Sequence, residues 1–220
     1  MSRPIGIVFD MDGVIVDNHQ YHMQAWQTFC KKYSIPLTEE DYRDNINGRT
    51  APAIMRYLFG EDISADLILE YTVEKESLYR ELFAPHLALT PGLASYLSQA
   101  QANGIPMAVA TSAPTENVEF TLDGLSIRHY FAAILDQHHV THGKPNPEIY
   151  TKACAALELP ASDCVVFEDA ISGIKAGLAA GCTVIGVATS HSKEELTASK
   201  KNIYDFNEIN IEETIATIRA

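Results

Sequence analysis

The sequence predicts an α/β fold in which a Rossmann-like parallel sheet core carries an inserted α-helical cap domain. Three observations predict it. The chain begins with an apolar run at residues 5–9 that suits a strand buried on both faces. From Pro91 onward, short apolar runs alternate with helical patterns, which is typical of βαβ units and a parallel sheet. Between these regions lie about 70 residues with helical periodicity alone, too many for a simple loop.

The first apolar run ends in two acids, Asp10 and Asp12, followed by Gly13. Side chains alternate along a strand, so both carboxylates would project in a similar direction if the extended backbone continued. Open α/β sheets bind ligands beyond the carboxyl ends of their strands. The pair therefore indicates a metal site or proton-transfer chemistry, whereas two solvated acids at the start of a loop are the alternative for the bare tripeptide.

The region after the first strand is predicted to be wholly helical. Apolar residues follow helical spacing in four stretches, at residues 21–33, 54–58, 67–71 and 78–82. We expect this insert to form a cap domain over residues 16–87, while residues 1–15 and 88–220 form the catalytic core. The insert would then have hinges where the chain leaves the core and returns to it.

The later strands also end in reactive residues. Strands are predicted at 106–110, 132–136, 165–167 and 183–187, and the run 192–201 is interpreted as a solvated helix face. Thr111 and Ser112 follow the second strand, where hydroxyls either cap a helix or, with backbone N–H groups, bind a phosphate oxygen. Lys144 lies in a proline-stiffened loop, and Glu168 with Asp169 ends a strand as Asp10 does.

Composition restricts the classes of partner. The chain has 220 residues and a formal net charge of −13, which argues against a nucleic-acid surface because such surfaces need basic patches. Its four cysteines form no Cys-x-x-Cys pair, so reduced thiols and a cytoplasmic protein are expected. No apolar run approaches the roughly 20 residues of a membrane helix, and no signal peptide is recognised.

The acids, the lysine and the threonine suggest one chemistry. Carboxylate oxygens suit Mg²⁺, which binds one or two carboxylates together with water and substrate phosphate. Asp10 could attack phosphorus as a nucleophile and form an aspartyl-phosphate. Asp12 could protonate the leaving oxygen and later deprotonate the attacking water or alcohol, while Lys144 stabilises charge on the transferring group.

This set of motifs resembles the haloacid dehalogenase (HAD) superfamily over nearly the full chain. The matching elements, in order, are Asp10-x-Asp12-Gly13, Thr111, Lys144 in Gly-Lys-Pro-Asn-Pro, and Glu168-Asp169. The resemblance implies a catalytic set of Asp10 as nucleophile, Asp12 as acid and base, and Thr111 and Lys144 as phosphate contacts. It implies Mg²⁺ as cofactor, with Asp10, Asp12 through its main-chain carbonyl, Glu168 and Asp169 at the metal. An aspartate at position 12 is typical of the phosphatases and phosphotransferases of the superfamily.

The finer resemblance is to the β-phosphoglucomutase-like subgroup with a small helical cap. The segment Tyr21-His22-Met23-Gln24-Ala25-Trp26 is similar to the first cap helix of those enzymes, so His22 and Trp26 are candidate substrate-binding residues. For His22 the alternative is a helix histidine packed near Trp26. Lys75 resembles a substrate-facing cap lysine, with a solvated helix lysine as the alternative.

One segment departs from the mutase pattern. Arg49 follows Gly48 immediately, whereas the mutase places its phosphate-binding arginine a few residues after the glycine. Arg49 can still make a bidentate phosphate contact, and a surface position at a helix start is the alternative. Gly48, Arg49 and Ser112 complete the candidate substrate contacts.

We therefore expect a monomeric Mg²⁺-dependent phosphatase that acts on a small phosphorylated metabolite, a sugar or polyol phosphate. β-Phosphoglucomutase is the alternative, and inorganic pyrophosphatase ranks third. No nucleic-acid or membrane partner is expected.

Overall fold

The structure is a computed structural model that describes residues 4–46 and 49–219, except for the side chains at positions 43 and 44. The contact pattern divides the chain into two compact units, residues 1–17 with 87–220 and residues 18–86. We call them the sheet unit and the helical unit. Among the described residues, no helix combines the length and apolar character needed to cross a membrane.

The sheet unit contains a six-stranded sheet in which every pairing is parallel. Its order is β3-β2-β1-β4-β5-β6, so the direction of winding reverses between β1 and β4. This is the α/β fold that the alternating pattern predicts, and that prediction is confirmed. The strands are β1 (Gly6–Phe9), β2 (Met107–Ala110), β3 (Ala133–Leu135), β4 (Cys164–Glu168), β5 (Thr183–Val187) and β6 (Lys201–Ile203).

The helices alternate with the strands only after the first strand. Those of the helical unit are α1 (His19–Lys32), α2 (Glu39–Asp41), α3 (Ala51–Phe59) and α4 (Ala65–Phe83). Those of the sheet unit are α5 (Leu93–Ala102), α6 (Thr115–Gly124), α7 (Glu148–Ala156), α8 (Ile171–Ala180) and α9 (Ile211–Arg219). The sequence patterns at 67–71 and 78–82 belong to one 19-residue helix, α4, whose first turn is capped by Ser64.

Apolar side chains cover both faces of the central strands. On one face, Phe9 stacks on Phe167 with their ring centroids 5.4 Å apart, and Tyr96 and Phe206 pack around both. On the other face, Val8 belongs to a separate buried cluster. Burial on both faces is the reason that the strands read as continuous apolar runs rather than as alternating ones.

The pairing register brings the two acidic strand ends together. Phe9 on β1 pairs with Phe167 on β4, and the Asp10 amide donates to the Phe167 carbonyl at 3.0 Å. The next residues along the two strands are therefore Asp10 and Glu168. They lie at the topological switch point between β1 and β4, where open α/β sheets bind their ligands.

The interpretation of residues 192–201 as a helix face is wrong. Residues 192–200 form turns, and Lys201 begins the edge strand β6. The Asn202 amide group donates to the carbonyls of Lys193 and Leu196, so a side chain from the strand satisfies the backbone of the turns. A three-residue strand that pairs on one side only has too little periodicity to be recognised in the sequence.

The helical unit has its own core. Helices α1 and α4 pack together, and Phe29 on α1 is fully buried. Around it, edge-to-face and tilted ring contacts join Tyr33, Phe59 and Tyr71 with centroid separations of 4.7–6.1 Å. Aromatic packing thus supplies a compact core for a unit without strands in its described part.

Candidate active site

The Asp10 carboxylate lies at the end of β1 and is buried. Its Oδ1 accepts a hydrogen bond from the Met11 amide at 2.8 Å, and its Oδ2 lies 3.0 Å from the Lys144 ammonium. Burial raises the pKa of the Asp10 carboxyl well above its usual range, and the Lys144 charge opposes that rise only in part. Asp10 is therefore fixed in orientation and depends on positive charge nearby to remain ionised.

Lys144 reaches this acid from the loop before α7. Its ammonium lies 2.7 Å from Glu168 Oε1 and 3.0 Å from Asp10 Oδ2, and 4.9 Å from the centre of the Tyr150 ring. Burial alone would lower the pKa of Lys144, but the charges of Asp10 and Glu168 outweigh it and hold that pKa above its usual range. Lys144 is therefore a permanent cation between two carboxylates.

Glu168 is completely buried and fully engaged by hydrogen bonds. Its Oε1 accepts from Lys144 and from the Tyr150 hydroxyl at 2.9 Å, and its Oε2 accepts from the Ala170 amide at 2.7 Å. Gly173 on α8 packs against this carboxylate so closely that a Cβ there would overlap it. The position of Glu168 is thus set by three donors and by a helix that approaches through a glycine.

Asp169 completes a group of three acids. One carboxylate oxygen from each of Asp10, Glu168 and Asp169 lies within 4.8 Å of the others. Burial, followed by the charge of Glu168, raises the pKa of the Asp169 carboxyl to about 8. Three buried carboxylates thus face the ammonium of Lys144, a charge balance that favours a bound cation with a preference for hard oxygen ligands.

Asp12 lies near this group, since its charge, in addition to burial, contributes to the raised pKa of the Asp10 and Asp169 carboxyls. Its carboxylate is half-buried, and its backbone bridges to Val16 within a tight turn in which the Gly13 amide donates to the Val16 carbonyl at 2.8 Å. Gly13 has a φ of +75° and lies against the Asp169 carboxylate, where no Cβ would fit. The expected contact of Asp12 with a metal through its main-chain carbonyl stays a prediction.

Thr111 follows β2, the strand next to β1. Its amide donates to the Leu135 carbonyl at 2.9 Å, and its buried hydroxyl oxygen accepts from the Ala113 amide at 3.1 Å. Because Thr111 Oγ1 accepts this bond, its own proton can be donated to another oxygen. Ser112, in contrast, is exposed.

In the helical unit, His22 and Lys75 contact each other. The Lys75 ammonium lies 3.0 Å from His22 Nδ1 and 2.7 Å from Glu76 Oε1, and its side chain is only 4% exposed. It also lies 5.1 Å from the centre of the buried Trp26 ring, and His22 stacks on Tyr79 with ring centroids 3.8 Å apart. The alternative of a solvated helix lysine for Lys75 is therefore wrong, and His22 has the Tyr79 ring as a stacking partner.

The two remaining substrate candidates stay predictions. The Arg49 side chain is exposed just before α3, which fits both of its expected roles. Gly48 lies outside the described residues.

Tyr150 is a further site residue, and the motifs of the sequence do not identify it. It is the third residue of α7, is completely buried, and contacts both Lys144 and Glu168. A sequence signal for it exists: Tyr150 belongs to the apolar stripe of a helix that begins just after the lysine loop, and a buried tyrosine needs a partner for its hydroxyl. That signal identifies a hydrogen bond but not its acceptor.

The sequence and the fold of this chain were compared with those of known proteins. The sequence profile of the haloacid dehalogenase-like hydrolases matches residues 7–187. The chain belongs to this family. The sequence-based assignment to the family, and with it the prediction of an enzyme, is confirmed.

Several relatives are similar along most of their length. The chain is 30% identical to hexitol phosphatase A of Escherichia coli strain K12, over 89% of this chain and 94% of the relative. It is 31% identical to β-phosphoglucomutase of Bacillus subtilis strain 168, over 82% of each. The crystal structure of a HAD hydrolase of family IA, variant 3, from Entamoeba histolytica superposes with a TM-score of 0.91 at 32% identity, covering 98% of this chain and 100% of the other.

Proposed function

We propose that this HAD hydrolase is a Mg²⁺-dependent phosphatase that hydrolyses a small sugar or polyol phosphate through an aspartyl-phosphate on Asp10. One observation carries the proposal. A carboxylate fixed by a backbone amide lies 3.0 Å from a lysine ammonium and within 4.8 Å of two further acids, at the sheet position where ligands bind. This arrangement combines a nucleophile with the charges that a phosphoryl group requires.

The acid group fits a divalent cation. Asp10, Glu168 and Asp169 offer oxygen ligands only, and their charge exceeds that of Lys144. Asp10 and Asp169 would be the direct ligands, because three protein donors already occupy Glu168. When bound, Mg²⁺ would supply positive charge toward the phosphoryl oxygens and keep both aspartates ionised.

The residues of the chain then perform two displacements. Asp10 Oδ attacks phosphorus and the bond from phosphorus to the leaving oxygen breaks, while Asp12 gives its proton to that oxygen. Water next attacks phosphorus, Asp12 accepts the proton of the water, and the bond from Asp10 to phosphorus breaks. Lys144 and the hydroxyl of Thr111 would bind the phosphoryl oxygens during both steps.

The substrate class rests on the relatives and on the insert. Hexitol phosphatase A, a relative along most of the chain, bears the name of a polyol phosphate hydrolase. We assign the helical unit the role of the cap that selects the leaving group, with His22, Trp26, Arg49 and Lys75 as its contacts. A cap of this kind excludes bulk water during the reaction.

The nucleophile is tested by the substitution Asp10→Asn, with phosphate release measured on a panel of sugar, polyol and aryl phosphates. The amide has nearly the same shape but is a far poorer nucleophile, so turnover should disappear while the protein stays folded. The matched control is Asp123→Asn, because Asp123 forms an exposed ion pair with Arg128. Activity of Asp10→Asn close to that of the control would refute the covalent mechanism.

A phosphoglucomutase remains a second candidate, favoured by the 31% identity to the Bacillus enzyme of that name. The two activities share Asp10, Asp12 and the aspartyl-phosphate, and they differ in whether water or a sugar hydroxyl attacks it. β-Glucose 1-phosphate, Mg²⁺ and a trace of the 1,6-bisphosphate should give mainly inorganic phosphate. Rapid formation of glucose 6-phosphate with little free phosphate would favour the mutase.

A further inference from the structure

The segment after β5 binds two loops of the acid site. Thr189 Oγ1 donates to the Gly13 carbonyl at 2.6 Å. Next to it, Ser190 Oγ donates to the Asp169 main-chain carbonyl at 3.0 Å, and His191 Nδ1 lies 3.1 Å from the same oxygen. Consecutive residues of one segment therefore hold the loop that follows β1 and the loop that follows β4.

These hydrogen bonds connect loops that lie beyond the end of the paired strands. The pairing of β1 with β4 ends at Phe9 and Phe167, with the Asp10 amide as its last hydrogen bond. Strand β5 is not a neighbour of β1, because β4 lies between them. Thr189 thus binds a residue 176 positions away in sequence, beyond the last hydrogen bond between β1 and β4.

The contact of Gly13 with Asp169 makes this bond relevant to the acids. The Cα of Gly13 lies so close to the Asp169 carboxylate that a Cβ would overlap it. A displacement of the turn at Gly13 would therefore open space beside Asp169 and alter its orientation. It would also move the carbonyl of Asp12, the neighbour of Gly13 in sequence.

We propose that Thr189 is a positioning residue that presses the turn at Gly13 against Asp169 and thereby sets the affinity of the acid group for its cation. The identity of that cation as Mg²⁺ rests on the proposed function. A hydroxyl is required at position 189, whereas its methyl group is not. Groups that orient metal ligands in this way typically change metal affinity or activity by about 10–100-fold when removed.

The test compares Thr189→Val, which removes the hydroxyl at nearly constant shape, with Thr189→Ser, which keeps it. Mg²⁺ binding to the full-length protein is measured by titration calorimetry, without substrate. Thr189→Val should bind Mg²⁺ about tenfold more weakly or worse, and Thr189→Ser should bind it as the wild type does. In turnover assays of Thr189→Val, the fold increase in the Mg²⁺ concentration for half-maximal activity should exceed the fold decrease in kcat.

Thr217→Val is the matched control, because the Thr217 hydroxyl also donates to a carbonyl, that of Glu213, but within α9. If Thr189→Val does not fold, Thr189→Ala takes its place in the comparison, because it lacks the same hydroxyl. Unchanged Mg²⁺ affinity in the folded valine or alanine variant would overturn the proposal, as would failure of serine to restore binding.

The same data separate this proposal from the proposed function. Weaker Mg²⁺ binding by Thr189→Val, with no phosphate release by the wild type from any substrate, would support the role of Thr189 and refute the phosphatase. Phosphate release by the wild type, together with unchanged Mg²⁺ affinity in Thr189→Val, would support the phosphatase and refute the role of Thr189.

Discussion

Two buried lysines, one in each unit of the chain, have opposite surroundings. The Lys144 side chain is 7% exposed and contacts two carboxylates, with a third acid beside them. The Lys75 side chain is 4% exposed and contacts one carboxylate, an imidazole and two aromatic rings. Negative charge exceeds positive charge around Lys144, whereas the carboxylate that Lys75 contacts is that of Glu76.

The different surroundings of Lys144 and Lys75 indicate different functions for the two lysines. An excess of buried acid is unfavourable for folding by itself and is retained where a cation or a reacting group compensates for it. The ion pair of Lys75 with Glu76 lies beside aromatic rings. We propose that this ion pair helps to distinguish one leaving group from another. We therefore propose that Lys144 acts in the reaction chemistry and Lys75 in substrate selection.

The largest effect in this comparison is expected for Lys144→Met. Loss of the ammonium removes a stabilising charge from the phosphoryl group and leaves Asp10 and Glu168 without the cation that both contact. We expect kcat to fall on the order of 10²–10³-fold on every substrate. Lys152→Met on α7, which removes an exposed pair with Glu148 and a hydrogen bond to the His139 carbonyl, is the control. A loss confined to some substrates would move Lys144 into the selection role.

For Lys75→Met we expect an effect that depends on the substrate. The kcat/KM for the preferred sugar or polyol phosphate should fall roughly tenfold or more, whereas that for an aryl phosphate should change little. The control is Lys32→Met, since Lys32 forms an exposed pair with Glu74 in the same unit. Melting temperatures of both variants reveal any general destabilisation. Equal losses on all substrates would contradict the difference between the two lysines.

The excess of acid predicts a dependence of stability on pH. Asp169 titrates at about 8 in the folded protein without metal, compared with 3.8 for an ordinary aspartate. Between these values the folded state binds more protons than the unfolded state, so the free energy of unfolding of the metal-free protein falls as the pH rises. Because Mg²⁺ binds the ionised acids, the increase in Tm that it causes should be larger at about pH 8 than at about pH 5.

Differential scanning fluorimetry with and without Mg²⁺ measures this increase directly. The Asp169→Asn variant should lose the part of the pH dependence that Asp169 contributes, whereas Asp10, whose pKa is also raised, should keep its own part. An increase in Tm that is the same at both pH values would show that Asp169 is already ionised in the metal-free fold.

The smallest effect is expected for Tyr150→Phe. The substitution removes the hydrogen bond to Glu168 and keeps the ring beside Lys144, so it should cost about 1 kcal/mol of stability and a few-fold in kcat. Tyr96→Phe is a close control, because the Tyr96 hydroxyl also has a buried partner, Thr214. If both variants keep full activity, Tyr150 serves the fold rather than the orientation of Glu168.

The sequence was most informative where the sheet itself places the residues. Asp10, Thr111 and Asp169 each follow a strand and Glu168 ends one, and the carboxyl ends of parallel strands meet at one edge. Their proximity could be predicted without coordinates. Lys144 was predicted from its loop and from the family resemblance, although its two carboxylate contacts at 2.7 and 3.0 Å were not.

The sequence was least informative about partners on helices and late loops. Nothing in the pattern of α4 shows that Lys75 is buried, because burial of one helix position depends on the element packed against it. Residues 192–201 were misassigned because polar side chains that satisfy turn carbonyls have the same composition as a solvated helix face.

By itself, then, the sequence determined the parallel sheet, its helical insert, the acids at the strand ends and the family. These depend on local periodicity and on residues adjacent in the chain. The tertiary structure alone decided which charges face one another: Lys144 between Asp10 and Glu168, Lys75 beside His22, and Thr189 on the Gly13 carbonyl. These contacts join residues from 24 to 176 positions apart, so they exist only after the strands have paired and the helices have packed.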